Sequence, residues 1–172
     1  MCSSDLRETY PRIAEVWTQG DAVLDALRTK YTAPLGRDGV LLVDATGVRM
    51  PNGLYLRYPN LRKERDPRNG RMRTVYDTKR GKATIAKPIW GGGLTENWCQ
   101  GLARIIVAEQ MLMIARRYKV AMTVHDSVVA VVPMADGDDA REWIETCMRI
   151  RPKWALGLPL NCESKMGASY GG

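Results

Sequence analysis

His125, Asp126 and Ser127 form a polar triplet, and His125 is the only histidine in the 172-residue chain. A carboxylate beside an imidazole can hold a hard cation or meet a phosphate, provided backbone hydrogen bonds fix its position. The flanking residues can supply that fixing. Residues 120–124 read Val-Ala-Met-Thr-Val and residues 128–132 read Val-Val-Ala-Val-Val. Two β-branched runs around a short polar break predict an antiparallel hairpin with the triplet at or beside its turn. Strands this apolar require cover on at least one face. The competing account is turn chemistry alone, in which Asp126 and Ser127 make the turn and His125 is solvated.

Composition bounds the rest. The length suits one domain or a substantial piece of a larger one. Hydrophobic residues are 45% and charged residues 26%, a globular balance, and no apolar run approaches the ~20 residues of a membrane span. No membrane partner is expected. Cys2, Cys99, Cys147 and Cys162 show no CxxC spacing, so neither a zinc site nor a disulfide framework is indicated, and a reducing cytoplasm fits. The formal charge of +7 is localised: residues 61–88 hold ten Lys or Arg against Glu64, Asp66 and Asp77, and the remainder is neutral. Such a block predicts contact with a polyanion, nucleic acid being the commonest. A solvated Lys/Arg-rich loop is the alternative.

The elements that must position these groups follow from periodicity. Residues 7–31 repeat apolar positions (Ile13, Val16, Trp17, Val23, Leu24, Leu27) at helical spacing, with Pro11 suited to a first turn. Residues 32–39 are expected as loop. Short strands are expected at 40–44 and 54–58, broken by Pro51-Asn52-Gly53. Within the basic block, Asn69-Gly70 predicts a turn and residues 73–76 a strand. After Gly91-Gly92-Gly93 a long helix is expected from Thr95, as cap, to about Arg117. Trp98, Leu102, Ile105, Ile106, Leu112 and Met113 would form its buried stripe. Asn97, Gln100 and Arg104, at i, i+3 and i+7, share a separate polar face. Residues 136–139 give an acidic start to a last helix ending near Ile150. Residues 1–6 show no periodic pattern and resemble the translation of a sequencing-adapter tail, so they are read as non-native; an ordinary start with Ser4 or Asp5 as helix cap is the alternative.

Thr95-Glu96-Asn97-Trp98-Cys99-Gln100-Gly101-Leu102-Ala103-Arg104, followed by a hairpin bearing Val124-His125-Asp126, resembles the C-terminal palm of family A (DNA polymerase I-like) DNA polymerases of the bacteriophage type. Arg7-Glu8-Thr9-Tyr10-Pro11-Arg12-Ile13 resembles the stretch after the fingers helix, and Met50-Pro51-Asn52-Gly53 with Tyr58-Pro59 the small sheet beyond it. Lys153-Trp154-Ala155-Leu156-Gly157-Leu158-Pro159-Leu160 resembles the family's terminal segment. The resemblance covers residues 7–172, as a C-terminal palm with part of the fingers-proximal region in a single incomplete domain. The implied fold is α+β: an antiparallel, hairpin-centred palm sheet packed against long helices, a fragment of a right-hand polymerase.

The resemblance implies template-directed DNA synthesis from primer-template DNA and dNTPs. Asp126 matches the catalytic carboxylate that binds Mg²⁺ in a two-metal site, a task that needs hard oxygen ligands. His125 matches a residue at the primer-terminal backbone. Gln100 matches a residue in the duplex minor groove, where an amide tests pairing geometry without reading sequence. Asn97 and Arg104 are neighbouring DNA-binding candidates. Ser127 departs from the family, which often has a second acid there, and the basic block exceeds the family's usual connection. The Asp-Tyr-Ser-type strand and the fingers helix have no counterpart, Asp44 being the nearest imitation of the second carboxylate. The expected partner is therefore the missing N-terminal polymerase portion, without which the chain should be inactive. Alternatives are one subunit of a split polymerase, or a non-catalytic DNA-binding remnant using residues 61–88. A metal hydrolase on His125 and Asp126 lacks further His or Cys ligands.

Overall fold

The computed structural model describes residues 7–170, so the expectation for residues 1–6 lies outside it. The chain is α+β with antiparallel sheets, and after Gly101 it divides into two compact units. Among the described residues no helix is long and apolar enough to cross a membrane.

In the first unit, helix α1 (Pro11–Thr29) opens on a proline whose missing N–H would be unpaired there anyway. It buries Gly20, Val23 and Leu24 and stops at Lys30, which is left-handed at φ 58°. A four-stranded sheet follows, ordered β1 (Ala33–Leu35), β2 (Leu41–Asp44), β3 (Gly47–Arg49), β4 (Tyr55–Leu56). Leu41, Val43 and Val48 form its core. The expected loop at residues 32–39 is corrected by β1. Pro34 disguised it, yet an edge strand tolerates a residue with no N–H to donate.

The basic block is a second sheet of β5 (Arg62–Arg65), β6 (Met72–Arg80) and β7 (Ala83–Ile89). The turn at Asn69-Gly70 is present. β6 is longer than expected and β7 was not expected. β7 has no clean apolar alternation, and Ala83 to Pro88 are all exposed.

Helix α2 (Gly91–Ile114) begins four residues before the expected cap. Thr95 lies inside it, its hydroxyl donating to Gly91 O at 2.8 Å. The capping group is the Asp21 carboxylate of α1, which accepts from Gly91 N at 2.6 Å. The glycines permit that approach: a Cβ on Gly91 would lie 1.9 Å from Trp17 O, and one on Gly92 2.1 Å from the Trp90 ring. Leu94, Trp98 and Ile105 are buried, as are Ile106, Val107 and Ile114, but Leu112 is 62% exposed. At 3.6 residues per turn the helix buries one face through Ile105 and nearly the opposite face from Ile106 to Ile114. Leu112 continues the first face, which corrects the single expected stripe.

In the second unit, β8 (Lys119–Val124) and β9 (Ser127–Val131) make a two-stranded sheet. Helix α3 (Gly137–Arg149) follows, with Asp138 and Asp139 favourably placed in its first turn. Buried Gln110 donates to Met148 O and Ile150 O at 2.6 and 3.3 Å, satisfying carbonyls at the end of α3. Glu145 accepts from Ser164, Arg141 and Arg149, and Arg149 also donates to Asn161, so the terminal segment is tied to α3.

Candidate nucleic-acid interface

Val124 pairs with Ser127, so the hairpin turn contains two residues, His125 and Asp126, and Ser127 opens β9. His125 has φ 54° and Asp126 is not left-handed, the sign pattern of a turn that ordinarily takes glycine first. An L-residue with a left-handed backbone is strained, and such outliers gather at functional sites. Both side chains are exposed. Ser127 Oγ lies 3.5 Å from Asp126 Oδ1, too far to orient it firmly. A bulge between Val120 and Met122 breaks the ladder below the turn.

The expected cover over this hairpin is partial: Val120, Thr123, Val124, Val128, Val129 and Ala130 are half-buried. No residue of β8 or β9 is buried, and Val131 is 60% exposed. A two-stranded sheet supplies no second layer of its own, and such a hairpin is marginal by itself.

Asp126 offers hard oxygens in open solvent, the donor type magnesium takes. It stands without companions: the described residues gather no group of three His, Cys, Asp or Glu that could hold a metal ion. A two-ion centre does not fit these residues by themselves. Asp44 is not a spare carboxylate either. The Tyr55 hydroxyl donates to it at 2.7 Å and Thr46 N at 2.7 Å, which holds its carboxyl below the ordinary range.

The helix candidates separate. Asn97 and Gln100 line a cleft of about 380 Å³ in the first unit, with Leu56, Arg57, Tyr58, Tyr76 and Gly101. Asn97 Nδ2 donates to Tyr58 Oη at 3.0 Å, so this side chain is half-buried and engaged. Gln100 is exposed, its Nε2 held by Glu96 at 3.0 Å. Tyr58 and Tyr76 meet edge to face at 5.1 Å, and burial pushes the Tyr58 phenol up. Arg104 belongs to the second unit and donates to Thr123 Oγ1 of β8 at 3.4 and 3.5 Å, two residues before His125. The polar helix face thus serves both units, Asn97 and Gln100 in one, Arg104 with the hairpin in the other.

Arg57, Tyr58 and Tyr76 were missed as site residues. The alternation of aromatic and basic residues in Tyr55-Leu56-Arg57-Tyr58 was the available signal. In the basic sheet, Arg62 pairs with Asp77 and Glu64 at 2.8 and 3.5 Å, and Arg73 with Glu64 and Asp66 at 2.9 and 3.2 Å. These pairs occupy all three acids of the segment and hold the Asp77 carboxyl below its ordinary value.

Compared with models of protein families, with curated proteins and with solved structures, the chain matches none.

Proposed function

We propose that this chain is the C-terminal, palm-forming portion of a DNA-directed DNA polymerase of the family A type, and that it acts only when joined to the remainder of that enzyme. The observation that carries this reading is the hairpin tip, where a two-residue turn presents His125 and Asp126 to solvent above two strands that are at most half-buried. A lone exposed carboxylate at the tip of a two-stranded hairpin suits a half-site awaiting its complement.

In that assembly Asp126 supplies one of the carboxylates for magnesium, and the missing portion supplies the others. Magnesium held there would supply charge stabilisation for phosphoryl transfer. His125, beside it on the turn, meets the primer-terminal backbone. Gln100 probes the minor groove from the cleft wall, with Asn97 and Arg104 as further DNA contacts. The DNA-binding remnant remains a second reading, favoured by the seven bases of residues 61–88 that have no acid partner among the described residues.

The test begins with the source DNA upstream of the Arg7 codon, sequenced without adapter ligation at that point. An in-phase frame encoding an Asp-Tyr-Ser-type strand and a fingers helix supports the proposal. The rejoined protein should then extend a primer, and Asp126→Ala should lower the rate by roughly three orders of magnitude or more, because the group acts in the transition state. The 172-residue chain should extend no primer at any magnesium concentration. Template-dependent incorporation by the short chain above its Asp126→Ala variant would overturn the proposal.

A further inference from the structure

The strand register sorts the charge of the basic sheet onto one side. In an antiparallel ladder directly paired residues share a face, and so do residues two apart along a strand. Glu64 pairs with Arg73, Arg62 with Val75, and Lys79 with Thr84. Arg62, Glu64, Arg73, Asp77 and Lys79 therefore share one face, and Asp66, just past β5, reaches Arg73 from the strand end. That side balances three bases against three acids.

The other face contains Lys63, Arg65, Tyr76, Arg80 and Lys87, with no acid from the sheet itself. Arg68, Arg71 and Lys82 lie in the connecting turns. The whole excess of the segment thus belongs to one face and the turns. At the Met72 end α1 brings Asp25 onto Lys63 at 3.2 Å, with Asp21 nearby. The uncompensated length consequently starts at the Tyr76–Lys87 pair and runs through Thr78 and Ile85 to Arg80 and Lys82. This is about 14 Å at 3.4 Å per residue. It begins in the cleft, since Tyr76 is a lining residue with Arg57 and Gln100.

We infer that the Tyr76 face of the β6–β7 ribbon is a track for the phosphate backbone of duplex DNA, with Lys87, Arg80 and Lys82 as its phosphate contacts and Arg57 continuing it at the cleft. This rests on the reading of the chain as a DNA-handling protein, but it concerns binding and needs neither Asp126 nor metal. Charge complementarity selects the occupant: an acid-free strand face with Lys87 at one end and Arg80 and Lys82 at the other matches a regularly charged polymer. The ion-paired face opposite has no net charge to offer one.

The test is fluorescence anisotropy with a labelled 20-base-pair duplex of arbitrary sequence, using the full 172-residue chain across a salt series without magnesium. Arg80→Gln combined with Lys87→Gln should flatten the slope of log affinity against log salt by about 2, one for each lost phosphate contact. Lys79→Gln, one residue from Arg80 but on the balanced face, should leave the slope unchanged. Circular dichroism verifies that all variants keep the wild-type fold; both altered residues are exposed, so no core group is removed. Equal effects of the two alterations, no duplex binding at low salt, or binding to phosphatidylserine vesicles in place of DNA would each overturn the inference. Duplex binding by the chain together with no primer extension by the rejoined protein carrying an intact Asp126 would sink the polymerase proposal and leave this track standing.

Discussion

The Asp21 carboxylate accepts a 2.6 Å hydrogen bond from Gly91 N, so a side chain of one helix caps the start of another seventy residues later in sequence. Glycine at both Gly20 and Gly91 lets the two backbones touch. Asp21→Ala removes the cap and should cost about 1 kcal/mol, read as a lowered urea midpoint with unchanged slope. Gly91→Ala should cost more, in the range of about 1–3 kcal/mol, because its methyl would strike main-chain atoms that cannot turn aside. An alanine at 91 as stable as wild type would show that this close approach is not a constraint.

Glu145 makes a second prediction. Hydrogen bonds from Ser164, then Arg141 and Arg149, hold its carboxyl at about 2, against an ordinary 4.5. A depressed carboxyl stabilises the folded state above its unfolded value and loses that contribution as pH falls through the folded one. The tie between α3 and the terminal segment should therefore be intact above pH 4.5 and weaken progressively toward pH 2. Glu145→Gln should flatten the acid limb of a stability-pH curve. Proteolysis of residues 161–170 at neutral pH should also quicken in that variant.

Gln110 is the buried polar side chain of the second unit, and both its contacts are carbonyls at the end of α3. Gln110→Leu fills similar volume but strands those carbonyls. The expected loss is about 1–3 kcal/mol. Native-state hydrogen exchange would locate it in the last turn of α3. Unaltered protection there would mean water replaces the amide.

At the hairpin tip the two consequences of one substitution run in opposite directions. His125→Gly relieves the left-handed backbone at φ 54°, and His125→Ala does not. Glycine should be more stable than alanine by roughly 1 kcal/mol, read from amide exchange along β8 and β9. Both variants lack the imidazole, so in a rejoined polymerase both should bind the primer end more weakly. Alanine as stable as glycine would remove the case for strain.

The hairpin was legible because its signal is local: two β-branched runs with a polar break decide the antiparallel pairing, while the two-residue turn and Ser127 as the start of β9 came from the structure. The shared polar face of Asn97, Gln100 and Arg104 was equally a matter of helical spacing. What escaped depends on contacts distant in sequence. Thr95 had the chemistry of a cap, but Asp21 took the role from another helix. Leu112 continued a proper heptad, but α2 changes its buried face past Ile105. Strand β7 carries no apolar alternation, because neither of its sides is buried along most of its length. The segregation of charge between the two faces of the basic sheet was invisible for a related reason: the excess is a property of composition, whereas its side is a property of register.

The open edges of the hairpin have a bearing on how the isolated chain behaves in a tube. Residues 128–132 are five uncharged residues, four of them valine, and both outer edges of the β8–β9 pair are unpaired among the described residues. Such a segment is a template for edge-to-edge stacking into aggregates. Asp126 before it, Pro133 after it and Lys119 opposite Val131 are the groups that interrupt that stacking. The proposed metal ligand is thus also a gatekeeper of solubility. Asp126→Ala should precipitate sooner than Asp126→Asn at equal concentration, and activity lost in the alanine variant is interpretable only in the fraction that remains monomeric.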